Sequence, residues 1–228
     1  MTEHSKTVDN ALTLLGLLAE QREGATAASL ARTLGLSRSA VARLLASLEA
    51  HGLARRRAQG WGPGLGLLTL VAGIEPQLRA IARAELERLA ARFDETAVLT
   101  IRDGDEAVAV DQVVPGTRVI QVHYGTGTRH ALDTAASGRA LRSSDPTAVV
   151  RSEGELEPGV RGVAAPVPGP DGRTVASIAV VAPAHRFPPE DQVADAVTSS
   201  AQRISAGLSH RAAPAPRGEA DAALPAGG

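Results

Sequence analysis

Two clusters of side chains in this 228-residue chain have the types and spacing to do chemistry. The first is cationic. Arg38 and Arg43 lie just beyond Ser37, with Ser39 and Ala42 between them, and Arg55, Arg56 and Arg57 follow in succession. A guanidinium is a planar fork of N–H donors that fits the O6/N7 edge of guanine or a pair of phosphate oxygens. Short neighbours such as Ser39 and Ala42 let a backbone come close to base edges. The second cluster is nucleophilic: Ser137, four residues after Asp133, with His130 and His123 upstream, supplies hydroxyl, carboxylate and imidazole. Its spacing is not that of a nucleophile elbow, and Gly138 reads as a site of close backbone approach in a ligand loop. The expectation is therefore no catalytic residue, with a small hydrolase as the remote alternative. His123, His130 and Asp133 make no metal set, because neither a Cys nor a second His pair joins them, and no cofactor is expected. Gly62, Gly64 and Gly66 space as G-x-G-x-G, but Pro63 interrupts the run and no strand-to-helix dinucleotide unit surrounds it, so it reads as an exit turn.

The elements around the cationic cluster give it a shape. Leu30, Ala31 and Leu34 share one face of a short helix that Gly35, tolerant of positive φ, can end. Ser37 is then an N-cap, and Val41, Leu44, Leu45 and Leu48 form the apolar stripe of a second helix. Ser39, Ala42, Arg43 and Ala46 fall opposite that stripe, with Arg38 in the first turn. Two short helices joined this tightly cannot lie parallel and make a helix-turn-helix, the second helix being shaped for a major groove. Val8, Ala11, Leu12, Leu15 and Leu18 predict a covering helix upstream. Downstream, Gly52 closes the second helix, residues 53–57 read as a strand, 58–60 as a turn, and Trp61 as the start of a return strand. This is a wing, in which three consecutive arginines must alternate faces and suit a phosphate backbone better than a core. Trp61 is expected to pack the base of the wing.

Composition bounds the rest. Aromatic residues make up only 2% of the chain against 43% hydrophobic residues, so Leu, Val and Ala must fill its one or two cores. With no Cys, disulfides and thiolate chemistry are excluded and a reducing compartment is expected. The N-terminal helix lacks a long apolar run, so neither a signal peptide nor a membrane span is expected, and the chain reads as soluble and cytoplasmic. Its net charge of -1 is unevenly spread. Residues 1–62 hold eight cationic and five acidic side chains, a net of +3, which turns the winged segment toward a polyanion.

Beyond the wing, residues 65–71 read as a short apolar helix and 76–93 as a longer one with Leu78, Ile81, Ala82, Leu86 and Leu89 on one side. Residues 97–102 and 107–114 flank the turn Asp103-Gly104 as a hairpin, 118–122 read as a further strand, and 133–142 as a helix. A second hairpin joins 160–167 to 175–181 through Pro168-Gly169-Pro170-Asp171-Gly172, and a helix over 190–208 closes the pattern. The fold class is α+β. From Ala212 onward the composition collapses to Ala, Pro, Gly and a few charges and predicts a disordered tail.

The order of these parts resembles the IclR family of bacterial transcriptional regulators over about residues 8–208. The matching motifs are Leu34-Gly35-Leu36-Ser37 with Val41-Ala42-Arg43-Leu44-Leu45, Asp94-Glu95-Thr96-Ala97-Val98-Leu99, Thr134-Ala135-Ala136-Ser137-Gly138-Arg139-Ala140-Leu141, and Gly159-Val160-Arg161-Gly162-Val163-Ala164-Ala165-Pro166-Val167. The resemblance implies an N-terminal winged helix-turn-helix (1–64), a linker helix (65–75), a GAF-like antiparallel-sheet domain for a small organic effector (76–210) and the tail (211–228). It also implies a homodimer or dimer of dimers on palindromic double-stranded DNA, commonly as a repressor. DNA contacts then fall to Ser37, Arg38, Ser39, Ala42, Arg43, Arg55, Arg56 and Arg57. The effector pocket is carried over to the backbone amides of Ala136 and Ser137 and to Ser152, Gly162, Ala179 and Val181. Two departures stand out. Positions 162, 179 and 181 lack the small polar side chains of members that hold carboxylate metabolites, which implies a more apolar ligand. The stretch from Leu141 to Glu153 is much shorter than the family's helical insertion over one side of the pocket. That second departure keeps open the alternative of a DNA-binding protein whose back half is a ligand-free oligomerisation module.

Overall fold

The computed structural model describes residues 4–212 except 22, 117 and 119, and leaves out the side chains of 211 and 212. The tail expected from 211 on thus lies, from 213, outside the described residues. The chain divides into two compact units, Met1–Pro76 and Gln77–Gly228.

In the first unit, α1 (Lys6–Glu20), α2 (Ala27–Leu34) and α3 (Arg38–Ala50) precede a ribbon of β1 (Ala54–Arg57) and β2 (Gly60–Pro63), and α4 (Gly66–Ala72) follows. Each helix of the central pair begins on a hydroxyl. Thr26 Oγ1 accepts from the Ser29 N–H and Ser37 Oγ from the Ala40 N–H, both at 3.1 Å, satisfying donors that a helix start leaves open. Gly35 sits in the left-handed region (φ +64°) and ends α2, which sets the tight angle between α2 and α3. Leu14 and Leu18 of α1, Leu30 and Ala31 of α2, and Val41, Leu45 and Leu48 of α3 close over Ala54 and Trp61 as one core. The ribbon is tied back by a two-way backbone pair between Ala25 and Trp61, each N–H donating at 2.8 Å.

The second unit holds α5 (Pro76–Phe93), β3 (Thr96–Asp103), β4 (Glu106–Val113), β5 (Arg129–Ala131), α6 (Ala135–Arg142), β6 (Val150–Glu153), β7 (Val160–Pro168), β8 (Thr174–Pro183) and α7 (Glu190–Ala212). Its sheet is antiparallel throughout, in the order β5-β4-β3-β8-β7-β6. Strand period sorts the side chains by face. Ala97, Leu99, Val163, Ala165, Val167, Ile178 and Val180 point to a large core with α5 and α7. The intervening Ala164 and Ala179 meet Ala136 and Ala140 of α6 on the other face. Four alanines there bring α6 close to the sheet. Close approach continues at Gly138, where a Cβ would lie 2.8 Å from the Leu132 carbonyl oxygen.

The expected strand over 118–122 is not formed: none of its described residues is in a strand. Side chains hold this segment instead of a ladder. Thr96 Oγ1 donates to the Val122 carbonyl at 2.6 Å, Arg186 Nη2 to the Ile120 carbonyl at 2.6 Å, and Arg118 Nε to Asp94 Oδ2 at 2.6 Å. The edge of β4 is taken by the three-residue β5, a strand the sequence reading lacked, as it lacked β6.

Candidate nucleic-acid interface and ligand cavity

The α3 face opposite the core stripe is open: Ser37, Arg38, Ser39, Ala42, Arg43 and Ala46 are all exposed. Neither Arg38 nor Arg43 makes a hydrogen bond or ion pair among the described residues, so both guanidiniums retain their full donor sets. Arg43 borders a shallow groove with Thr7 and Asn10 of α1 and Ser47 of its own helix. The three wing arginines differ. Arg55 is exposed, Arg56 lies over the Trp61 ring with Cζ 4.5 Å from its centroid, and Arg57 is half-buried across Gly62, where a Cβ would meet the Arg57 side chain. Trp61 itself is buried in the core, so it packs the wing's base. The exit turn at Gly62, Gly64 and Gly66 is a packing device, since a Cβ on Gly64 would run into Gly52 and the Ala54 N–H.

In the second unit the six residues carried over for a ligand come together. Ala136, Ser137, Ser152, Gly162, Ala179 and Val181 line one cavity of about 50 Å³ with Tyr124, Ala135, Glu155, Leu156, Glu157 and Val160. Register explains the convergence: Ser152 pairs with Gly162 and Gly162 with Val181, so three adjacent strands place these residues in one row under α6. The absent side chain at Gly162 is part of the cavity, because a Cβ there would lie 3.1 Å from Ser152 Oγ and 3.4 Å from Val181.

Ser137 and His130 are both buried, and Ser137 Oγ lies 3.2 Å from His130 Nε2. His130 Nδ1 lies 2.9 Å from the Ala131 carbonyl, an acceptor that calls for the N–H at Nδ1. Asp133 is not part of this pair. It is exposed and its carboxylate accepts from Thr134 Oγ1, while His123 sits beside Gln112. The hydroxyl, imidazole and carboxylate weighed as a nucleophilic set thus do not assemble in one chain. Among the described residues no group of His, Cys, Asp or Glu is arranged to hold a metal ion. Tyr124 borders the cavity with its hydroxyl buried, and burial pushes its pKa up, a shift that Ser137 partly offsets.

Sequence reasoning missed Tyr124 and the 155–160 side of the cavity. It also missed Glu85, 3% exposed under α7. Burial raises the Glu85 pKa, but Arg203 (2.8 and 2.9 Å), Arg88 and Ser200 together outweigh burial and leave it below the usual carboxylate range.

Two family models match this chain: the IclR helix-turn-helix domain over residues 7–58 and the bacterial transcriptional regulator IclR C-terminal domain over residues 74–153. Among curated proteins it is similar to the HTH-type transcriptional regulator KipR of Bacillus subtilis, 31% identical over 150 residues covering 64% of this chain and 59% of KipR. It is likewise similar to the HTH-type transcriptional regulator Rv1719 of Mycobacterium tuberculosis, 34% identical over 147 residues covering 62% of this chain and 55% of that protein. The chain thus spans rather more than half the length of these relatives. A solved IclR homolog from Microbacterium hydrocarbonoxydans, complexed with 4-hydroxybenzoate, shares the fold at a TM-score of 0.76 and 18% identity, covering 91% of this chain and all of that one. The two matched domains, in order and on the fold described, place the chain in the IclR family of bacterial transcriptional regulators. No helix among the described residues is long and apolar enough to cross a membrane.

Proposed function

We propose that this protein is a sequence-specific, double-stranded-DNA-binding transcriptional regulator that acts as a homodimer and represses. The observation that carries the reading is the α3 surface: short side chains at Ser39 and Ala42, and two guanidiniums without partners among the described residues, on a helix whose other side is locked into a core. Arg38 and Arg43 read bases, while Arg55 tracks phosphate and Arg56 and Arg57 brace the wing. Dimerisation is supported by apolar side chains left uncovered in the first unit. Leu65, Leu68, Leu70 and Val71 on and beside α4, with Val8 and Leu12 on α1, are all more than 40% exposed. The test is selection of genomic fragments by the full chain, followed by transcription in vitro from a selected promoter. Retention of no fragment removes the DNA reading, and activation in place of silencing removes repression.

The cavity under α6 is proposed as the effector pocket, for a small ligand of mostly apolar body. Its support is the convergence of the six carried-over residues, with apolar Ala179 and Val181 on its wall. Its volume favours a second reading, a ligand-free oligomerisation unit, because about 50 Å³ holds little more than water. A metabolite screen by thermal shift separates them: a ligand of the folded state raises the melting temperature by mass action, and an empty scaffold responds to none.

A further inference from the structure

We propose that Glu155 is a tethered carboxylate occupying the anion seat of the cavity under α6, and that it determines specificity there by excluding free carboxylates while leaving the cavity to neutral ligands. The inference rests on reading that cavity as the effector pocket. Both Glu155 oxygens are engaged in the way a bound carboxylate's would be. Oε2 accepts from the Ala135 N–H at 2.8 Å and from Arg139 Nη1 at 2.5 Å, and Oε1 accepts from Arg139 Nη2 at 3.0 Å. This is a two-pronged Arg–carboxylate pair reinforced by a backbone amide. Arg139 also donates to the carbonyls of Arg151 (2.5 Å) and Asp133 (3.3 Å), so both its terminal nitrogens are committed, and it is not among the residues that line the cavity. The hydrogen bonds from Arg139 hold the Glu155 carboxyl below the usual carboxylate range.

The rest of the cavity contributes no compensating cation. Its lining carries the acids Glu155 and Glu157 and otherwise only neutral side chains, so an entering carboxylate meets like charge and no unpaired cation. Glu155 arrives on a short strap between two left-handed glycines, Gly154 (φ +70°) and Gly159 (φ +78°), and the same strap puts Leu156 and Glu157 on the cavity wall. Tethering makes this carboxylate an intramolecular competitor present at high effective concentration, which a free acid must outcompete. Glu155 and Arg139 are each about one-third exposed, so the seat is reachable from solvent once the side chain is gone.

The test is chemical rescue in the full chain. Glu155→Ala removes the equivalent of one acetate. Its thermal unfolding is measured against sodium acetate, with sodium chloride at equal ionic strength and acetamide as controls. The expected result is a saturable rise in Tm with acetate, at least tenfold more sensitive to acetate than the wild type, no rise with acetamide, and loss of the response in Glu155→Ala/Arg139→Gln. An identical acetate response in wild type and Glu155→Ala, or none in a cooperatively unfolding Glu155→Ala, overturns the proposal. Should Glu155→Ala give no cooperative transition, Glu155→Gln, which places a weaker neutral competitor in the seat, is judged by the same comparison with wild type. Operator affinity measured alongside separates the two ideas. Acetate rescue without any change in DNA affinity supports the seat and counts against effector coupling. A wild type whose DNA affinity responds to a neutral ligand, with no rescue in the variant, does the reverse.

Discussion

Arg43→Ala and Arg55→Ala divide DNA reading into its two physical components. Neither side chain has a hydrogen-bond or ion-pair partner among the described residues, and both are exposed, so removing either leaves no buried group unsatisfied and changes folding stability by no more than about 0.5 kcal/mol. The effect must therefore appear in the complex. If Arg43 pairs with a guanine, each lost bidentate contact costs about 1–3 kcal/mol. A twofold-symmetric operator loses two, roughly 2–6 kcal/mol, which is at least about a 30-fold loss of affinity. Affinity for random duplex should change far less. Arg55→Ala instead removes a phosphate contact from each half-site. It should weaken specific and random DNA alike and lower the magnitude of the slope of log K against log salt by about 1.8 for the dimer. Fluorescence anisotropy of one selected and one scrambled duplex, at four or five salt concentrations, reads both quantities. The reasoning is refuted if Arg43→Ala weakens both duplexes equally, or if Arg55→Ala leaves the salt slope untouched.

Three further outcomes follow from packing and charge. Leu45→Ala empties a fully buried site in the helix-turn-helix core and should destabilise that unit by about 3–5 kcal/mol in urea unfolding, abolishing DNA binding at ordinary temperature. Leu68→Lys places a charge on the uncovered apolar side of α4, where the native side chain is 67% exposed, so it should leave monomer folding intact while sedimentation shows dissociation of the dimer. Glu85 has a folded-state pKa below its ordinary value of 4.5, so its contribution to stability is complete above about pH 4.5 and is lost as pH falls through and below that value. Glu85→Gln should therefore flatten the acid limb of the stability–pH profile, and an unchanged limb would show the Arg203 and Arg88 contacts to be without consequence.

What could be read from the sequence follows the range of the interactions. The α2–α3 pair announces itself because Gly35 and Ser37 act on neighbours within a few residues, and the apolar stripe of α3 repeats at helical spacing. The Asp103-Gly104 and Pro168–Gly172 hairpins are legible for the same reason. Residues 118–122 carry β-branched residues in a strand-like pattern, yet long-range side-chain donors from Thr96 and Arg186 satisfy their carbonyls, and no local signal encodes that. Three residues of β5 and the polar Val-Arg-Ser-Glu of β6 are too short to show a period. In the cavity, the six positions known by resemblance converge through strand register. Glu155 was hidden because its partner Arg139 lies 16 residues away, across a stretch shorter than the family's. Glu85 and Arg203 are 118 residues apart. The one visible hint was the pair of glycines bracketing residues 155–158.

The central claim, that the exposed side of α3 reads duplex DNA, is met most directly by equilibrium binding of the full chain to a genomically selected fragment and to its scrambled counterpart at physiological salt. The account predicts a preference of at least about a thousandfold for the selected fragment, carried by Arg38 and Arg43. Equal affinity for both duplexes, or no retention of either at low ionic strength, would contradict it.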